Sequence, residues 1–161
     1  MSEESLTIRR LRDKFPDSIM ETHSFRGDDT AIIRKEDIVE VCRFLKEEKG
    51  LAYNFMMDLT AVDYLGQEPR FEVVYHFYSL EHNHRVRIKS RISESDCSID
   101  SITSLWVGAN WFEREAYDMY GITFKGHPNL KRILLYKEFK GHPLRKDYPV
   151  KGRQPLIGPG E

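Results

Sequence analysis

Residues 70–92, RFEVVYHFYSLEHNHRVRIKSRI, hold two strands in succession. From Phe71 to Tyr78 every position is apolar or aromatic except Glu72 and His76. A strand with both faces apolar lies inside a sheet, covered on each side. After a tight turn at Glu81–His84, Val86, Ile88 and Ile92 fall on one parity, and Arg85, Arg87, Lys89 and Arg91 on the other. That alternation marks a strand with one buried and one wet face. The short connection makes the pair antiparallel, because parallel neighbours need a long crossover. The cation row reads as a solvated face with edge protection; an acidic partner docking on it is the rival reading.

Working towards the N-terminus, Leu51–Tyr64 forms a third strand, joined to Arg70–Leu80 through the turn Gly66-Gln67-Glu68-Pro69. The spacing predicts a helix over 36–49: Ile38, Val41, Cys42 and Leu45 share one face, and Gly50 stops it. Glu36 and Asp37 at its start and Lys46 and Lys49 at its end suit the helix dipole. Residues 18–24 and 30–34 read as strands around Arg26-Gly27-Asp28-Asp29. Residues 3–15 read as a helix on Ile8, Leu11 and Phe15, ended by Pro16. The class is α+β: a mostly antiparallel sheet with helices packed on it, spanning residues 1–121.

Towards the C-terminus, a short helix is expected at Ile99–Leu105 and a longer one from Asn110. Asn110 can cap the longer helix, with Glu113 completing a capping-box pattern. Phe112, Ala116, Met119 and Tyr120 form its apolar stripe, Arg114 and Asp118 an i, i+4 pair, and Gly121 its stop. Periodicity then fades. Residues 122–161 are expected to form an irregular, extended basic arm, punctuated by Pro128, Pro143, Pro149, Pro155 and Pro159, with a short element at Leu130–Tyr136. Phe124-Lys125-Gly126-His127-Pro128 recurs as Phe139-Lys140-Gly141-His142-Pro143, each copy an aromatic anchor followed by a fixed corner. Residues 122–153 hold nine Lys/Arg and two Asp/Glu, a net of +7; the rest holds 16 and 24, a net of −8. Such an arm should lie along an acidic surface, its own body or a partner's.

Composition narrows the chemistry. At 161 residues and 40% hydrophobic, the chain can bury one real core. Cys42 and Cys97 form neither a CxxC pair nor a disulfide framework, so Cys42 reads as a core thiol and a reducing compartment fits. No GxGxxG or GxxxxGK[ST] loop occurs, and no apolar run reaches the ~20 residues of a membrane span. The N-terminal residues lack a signal-peptide or transit-peptide pattern. Glu113, Glu115 and Asp118 have no accompanying nucleophile or metal set, so an acid–base role is disfavoured. His76, His82 and His84 show no third-ligand spacing. The basic arm with Tyr136, Phe139 and Tyr148 leaves nucleic-acid binding as a rival, against which stand the missing module and a pI near 6.6.

The run from Trp111 to Ile122, WFEREAYDMYGI, resembles the signature of the 30 kDa-type subunit (the C subunit) of NADH–quinone oxidoreductase, respiratory complex I. The resemblance continues through Gly126-His127-Pro128, Leu130, Arg132-Ile133-Leu134 and Gly141 to Pro149, and includes Asp58–Tyr64 and Arg70–Tyr75. Val107 stands where the family more often has proline. The resemblance implies a structural subunit of the hydrophilic arm, with no cofactor in this chain and with FMN and iron–sulfur clusters in partner subunits. It implies packing against other complex I subunits, above all the quinone-site D subunit, whose cavity with the B subunit receives quinone. It implies a peripheral place on the cytoplasmic side of a bacterial inner membrane, with no nucleic acid bound. Related subunits occur in membrane-bound hydrogenases and other-donor dehydrogenases. On this footing Glu113, Arg114, Glu115, Asp118, His127, Arg132, His142, Arg145, Lys146 and Asp147 are the expected partner-docking residues. Arg145 is expected to reach a partner's carboxylate, or Glu113, Glu115 or Asp118 of its own chain.

Overall fold

A computed structural model describes residues 5–155 and 157 of the protein. Residues 1–4 and so the expected start of the first helix, and residues 156 and 158–161 of the arm, lie outside the described residues. Helix α1 (Leu6–Lys14) starts at Ser5, whose hydroxyl accepts the Ile8 N–H, and buries Ile8 and Leu11. Strands β1 (Ile19–Phe25) and β2 (Asp28–Ile33) follow, then one 3₁₀ turn (Lys35–Asp37) and helix α2 (Ile38–Glu47). The α2 stripe Ile38, Val41, Cys42 and Leu45 is buried as the spacing requires.

Strands β3 (Phe55–Asp63), β4 (Phe71–Ser79) and β5 (His84–Ile92) complete a five-stranded sheet in the order β1-β2-β5-β4-β3. All its pairs are antiparallel except β2 with β5, which is parallel. The chain between those two strands, holding α2, β3 and β4, is long enough for such a crossover. Phe71, Val73, Tyr75 and Phe77 of β4 point to one face and join Val86, Ile88 and Ile92 of β5 in the core. Ile8 and Leu11 of α1 and the α2 stripe belong to the same cluster.

The cation row lies on the opposite face, but β5 sits between β2 and β4 and is no edge. Edge protection is therefore not its role. Arg85 pairs with Asp28 of β2, Lys89 with Glu72 of β4, and Arg91 with Glu72 and with Glu21 of β1, one strand further out. Ile32 and Val74 stand opposite Lys89 in register, and both are buried on this outer face. Long cationic stems can cover such apolar positions while their heads stay wet.

The expected helix at Ile99–Leu105 is absent. Residues Ser98–Asp100 form strand β6, paired in parallel with β7 (Thr123–Lys125). The Ser101 N–H goes to the Lys125 carbonyl and the Ile102 N–H to the Glu113 carboxylate. Ile99 and Asp100 are committed to the β6–β7 ladder, so only a turn follows, from the Ile102 carbonyl to the Leu105 and Trp106 N–H groups. Helix α3 (Ala109–Tyr120) begins at Gly108 without a side-chain cap. The expected Asn110–Glu113 capping box therefore does not form. Glu113 turns inward instead, where it accepts the Ser101 hydroxyl at 2.7 Å and the Ile102 N–H at 2.8 Å. Gly121 ends α3 at φ 78°, as a left-handed glycine stop should.

Candidate docking site

After β7 the chain makes no further helix or strand among the described residues up to 155. It is nonetheless held. Its first half runs along α3 and touches residues spaced four apart on one helical stripe. His127 donates from Nε2 to the Asn110 carbonyl at 3.2 Å, while its Nδ1 accepts the Asn129 N–H, which fixes the tautomer. Arg114 reaches out to the carbonyls of Lys131 and Arg132, both at 3.1 Å. It does not pair with Asp118, because Asp118 is taken by the arm.

Asp118 is fully buried. Its Oδ2 accepts three consecutive N–H groups, from Ile133 at 3.1 Å, Leu134 at 2.8 Å and Leu135 at 2.9 Å. Its Oδ1 accepts from Arg132 Nη1 at 2.8 Å. The segment expected as a short element at Leu130–Tyr136 is thus an anion nest, three converging N–H groups closed on a carboxylate. Burial alone would raise this carboxyl. The N–H groups of Leu135 and Leu134, the Arg132 guanidinium and the Ile133 N–H outweigh it and hold Asp118 below the usual carboxylate range.

The second half of the arm caps the C-terminal end of α3. A helix leaves its last four carbonyls without intrahelical partners. Here the Tyr117 carbonyl accepts the Gly121 N–H at 2.8 Å, Asp118 accepts His142 Nδ1–H at 3.0 Å, Met119 accepts the Leu144 N–H at 3.1 Å, and Tyr120 accepts Arg145 Nε–H at 2.6 Å. All four are satisfied. Burial lowers the His142 pKa, with Arg145 and Arg132 adding to the effect, so the ring is neutral and Nδ1 carries its proton. The sequence repeat is thereby a structural one: His127 binds a carbonyl in the first turn of α3, and His142 one in its last.

A third anchor ties the arm to the sheet. Arg70, 3% exposed, sits at the start of β4 beside Asp63 at the end of β3. It donates to Asp63 from Nε and Nη2, both at 2.9 Å, to Asp147 at 2.8 and 3.0 Å, and to Glu94 at 2.7 Å. Asp63 also accepts the Lys146 N–H at 2.8 Å. Arg70 hydrogen bonds are the first cause holding both Asp63 and Asp147 below the usual range. Arg145 lies with its guanidinium 5.0 Å from the centre of the Phe71 ring and 3.8 Å from Glu94. Its receivers are therefore Tyr120 and Glu94, and not Glu113, Glu115 or Asp118.

Of the ten expected residues, Arg114, Asp118, His127, Arg132, His142, Arg145, Lys146 and Asp147 join arm to body. Glu113 lies under them in the core, and burial pushes its carboxyl up to about 7. Glu115 is exposed. Sequence reasoning overlooked Asp63 and Arg70 as anchors; the signal available was a charge at the end of each of two apolar strands. The arrangement ties the arm to the body. Among the described residues, no three His, Cys, Asp or Glu side chains are grouped to hold a metal ion, and no helix is long and apolar enough to cross a membrane. What it does is fix a surface.

Residues 31–154 match the family described as the 30 kDa subunit of respiratory-chain NADH dehydrogenase. The chain is 53% identical over 160 residues to the C subunit of NADH-quinone oxidoreductase from Geotalea uraniireducens, covering 98% of this chain and 96% of that one. It is 50% identical to the same subunit from Citrifermentans bemidjiense, with 98% of each chain covered. Among solved structures, a trypsin-resistant fragment of Nqo5, residues 1–134, superposes with TM-score 0.65 at 28% identity, over 78% of this chain and all of the fragment. A chain of the archaeal membrane-bound sulfane sulfur reductase shares the fold at TM-score 0.73 and 22% identity, over 89% of this chain and 84% of that one. The α+β body and its strapped C-terminal segment belong to the family of the respiratory-chain NADH dehydrogenase 30 kDa subunit, the C subunit of NADH-quinone oxidoreductase.

Proposed function

We propose that the chain is a cofactor-free structural subunit in the hydrophilic arm of a proton-translocating NADH:quinone oxidoreductase. On this reading electrons pass from NADH through FMN and iron–sulfur centres held by other subunits, and on to quinone. This chain carries none of them and catalyses nothing alone. Its neighbours are the quinone-site D and B subunits, and its place is the cytoplasmic side of a bacterial inner membrane, without a span of its own. The observation that carries the reading is the family match across residues 31–154, which takes in body and arm alike. Supporting it, the arm is held by buried ion pairs and a capped helix, so its outer surface is preorganised and little ordering cost remains on binding.

The test is purification of the tagged chain from membranes in mild detergent. Flavin and iron–sulfur absorbance and NADH:quinone activity should co-purify with it, while the isolated chain is colourless and inert. A chain that leaves the membrane alone, or that itself holds stoichiometric flavin or cluster, would end the proposal.

A further inference from the structure

Helix α3 has three stripes. Ala109, Glu113 and Ala116 are buried against the body. Asn110, Arg114 and Asp118 meet the arm. The third stripe, again spaced four apart, is Val107 just before the helix, Trp111 and Glu115. Val107 is 86% and Trp111 68% exposed, and Glu115 is exposed too. At about 100° per residue this stripe adjoins the one that carries the arm. Leu134 and Leu144 are exposed as well, and their N–H groups bond to Asp118 and to the Met119 carbonyl at the far end of the helix.

The arm that carries Leu134 and Leu144 also has an excess of positive charge. Of the nine Lys and Arg in residues 122–153, two, Arg132 and Arg145, pair with carboxylates of the body. The other seven (nine less two) are exposed, and none has a carboxylate within 4.0 Å among the described residues. Those two arginines anchor; the lysines, Lys131 beside Arg114 among them, face outward.

We infer that this ridge docks on a neighbouring protein subunit of the complex, Trp111 entering an apolar pocket whose rim carries carboxylates. The inference rests on the subunit reading above. A large exposed aromatic on a rigid helix is the usual anchor of an interface, and cations around it select an acidic rim and speed encounter. Trp with lysines would also suit an anionic membrane surface. Glu115 decides against that, since it stands four residues from Trp111 in the middle of the ridge: a leaflet is negative throughout and would repel it, whereas a protein surface can fix a donor opposite Glu115 and carboxylates opposite the lysines.

The experiment uses the full chain, complemented into cells that lack it. Trp111→Ala should leave the melting temperature of the isolated chain unchanged and lower its recovery with the complex at least tenfold. Val107→Asp, outside the helix, should act in the same direction. With benzophenone-alanine at position 111, irradiation of the purified complex should cross-link to another subunit at a peptide carrying Asp or Glu. Normal assembly of both variants, cross-links confined to this chain, or Trp111-dependent binding to phosphatidylglycerol vesicles with assembly intact would each overturn the ridge as a protein dock. If the wild-type chain itself fails to co-purify, the subunit reading falls; if wild type and variants co-purify equally, the ridge alone falls.

Discussion

Arg70 and Asp147, 77 residues apart, meet fork to fork at 2.8 and 3.0 Å. Asp63 shares the same guanidinium, with its side chain 1% exposed against 50% for Asp147. That asymmetry sorts the two pairs energetically. Removing the arginine leaves Asp63 charged and buried, whereas removing Asp147 leaves Arg70 still paired with Asp63.

Arg70→Met should therefore cost about 3–5 kcal/mol in urea denaturation of the isolated chain. Asp147→Ala should cost only about 0–1 kcal/mol globally, yet speed tryptic cleavage within the arm. Equal losses for the two variants would show that the anchor is not organised around Asp63.

Gly121 tests the strap at the end of α3. A Cβ there would lie 2.7 Å from the His142 ring and 2.9 Å from Arg145 Nη2, at φ +78°. Gly121→Ala should cost about 1–3 kcal/mol in strain and push His142 and Arg145 off their carbonyls. Gly126→Ala has the same backbone sign, φ +81°, but open space around it. It should cost less and leave the arm's proteolysis rate unchanged, which limited digestion and melting together would show.

Asp118, Asp63 and Asp147 all have carboxyls held below their ordinary range. A depressed folded pKa gives stability that is present above the unfolded value, roughly 4, and lost as pH falls through the lower folded value. The arm should accordingly loosen in acid, below about pH 4. Hydrogen exchange at the Ile133, Leu134 and Leu135 amides, corrected for intrinsic rate, should lose protection there. In Asp118→Asn, with a neutral acceptor replacing the carboxylate, those amides should already be unprotected at pH 7.

Glu113 has the opposite sign. Its folded pKa is raised by burial to about 7, so the folded state keeps a proton that the unfolded state gives up. Stability is full below the unfolded value, roughly 4.5, and falls until the folded group has ionised. Glu113→Gln keeps an acceptor for Ile102, and its amide can donate to Ser101 Oγ once that hydroxyl turns to Thr103, but it cannot ionise. The variant should match wild type at pH 4.5 and be more stable by about 1–3 kcal/mol at pH 8. Parallel denaturation curves at the two pH values check this; no pH-dependent difference would show that the carboxylate is already charged at neutrality.

Much of the body was legible because its signals are local. The alternation in Arg85–Ile92 and the i, i+3, i+4 stripe of α2 each survive folding unchanged. The Asn110–Glu113 pattern misled for a physical reason: a capping box is one use of a carboxylate at that spacing, and the unpaired Ser101 and Ile102 donors offered a buried one. The cation row misled similarly, since strand order within a sheet has no local signature. Charge segregation indicated that the arm needed an acidic receiver. Asp118 was among the expected receivers, but for Arg145 and not for Arg132 and the amides of 133–135; Asp63 was not, because it takes a backbone N–H from the arm and its cation is Arg70 of the body. The FKGHP repeat was visible as letters, but its meaning, a histidine for each end of α3, required the helix to be in place.

The strap also carries a consequence for synthesis. Arg70 leaves the ribosome roughly 4–15 s before Asp147, at ~5–20 residues per second across the 77 residues between them. Within that interval, the carboxylate of Asp118 has no nest until Arg132–Leu135 emerge, and the last turn of α3 keeps open carbonyls until His142, Leu144 and Arg145 follow. A chain cut short before Arg132 keeps a charge in its interior and a frayed helix end, and one cut short before His142 keeps the frayed end. Stability thereby reports completeness, and truncated copies are left as substrates for proteolysis before they can compete for a place in the assembly.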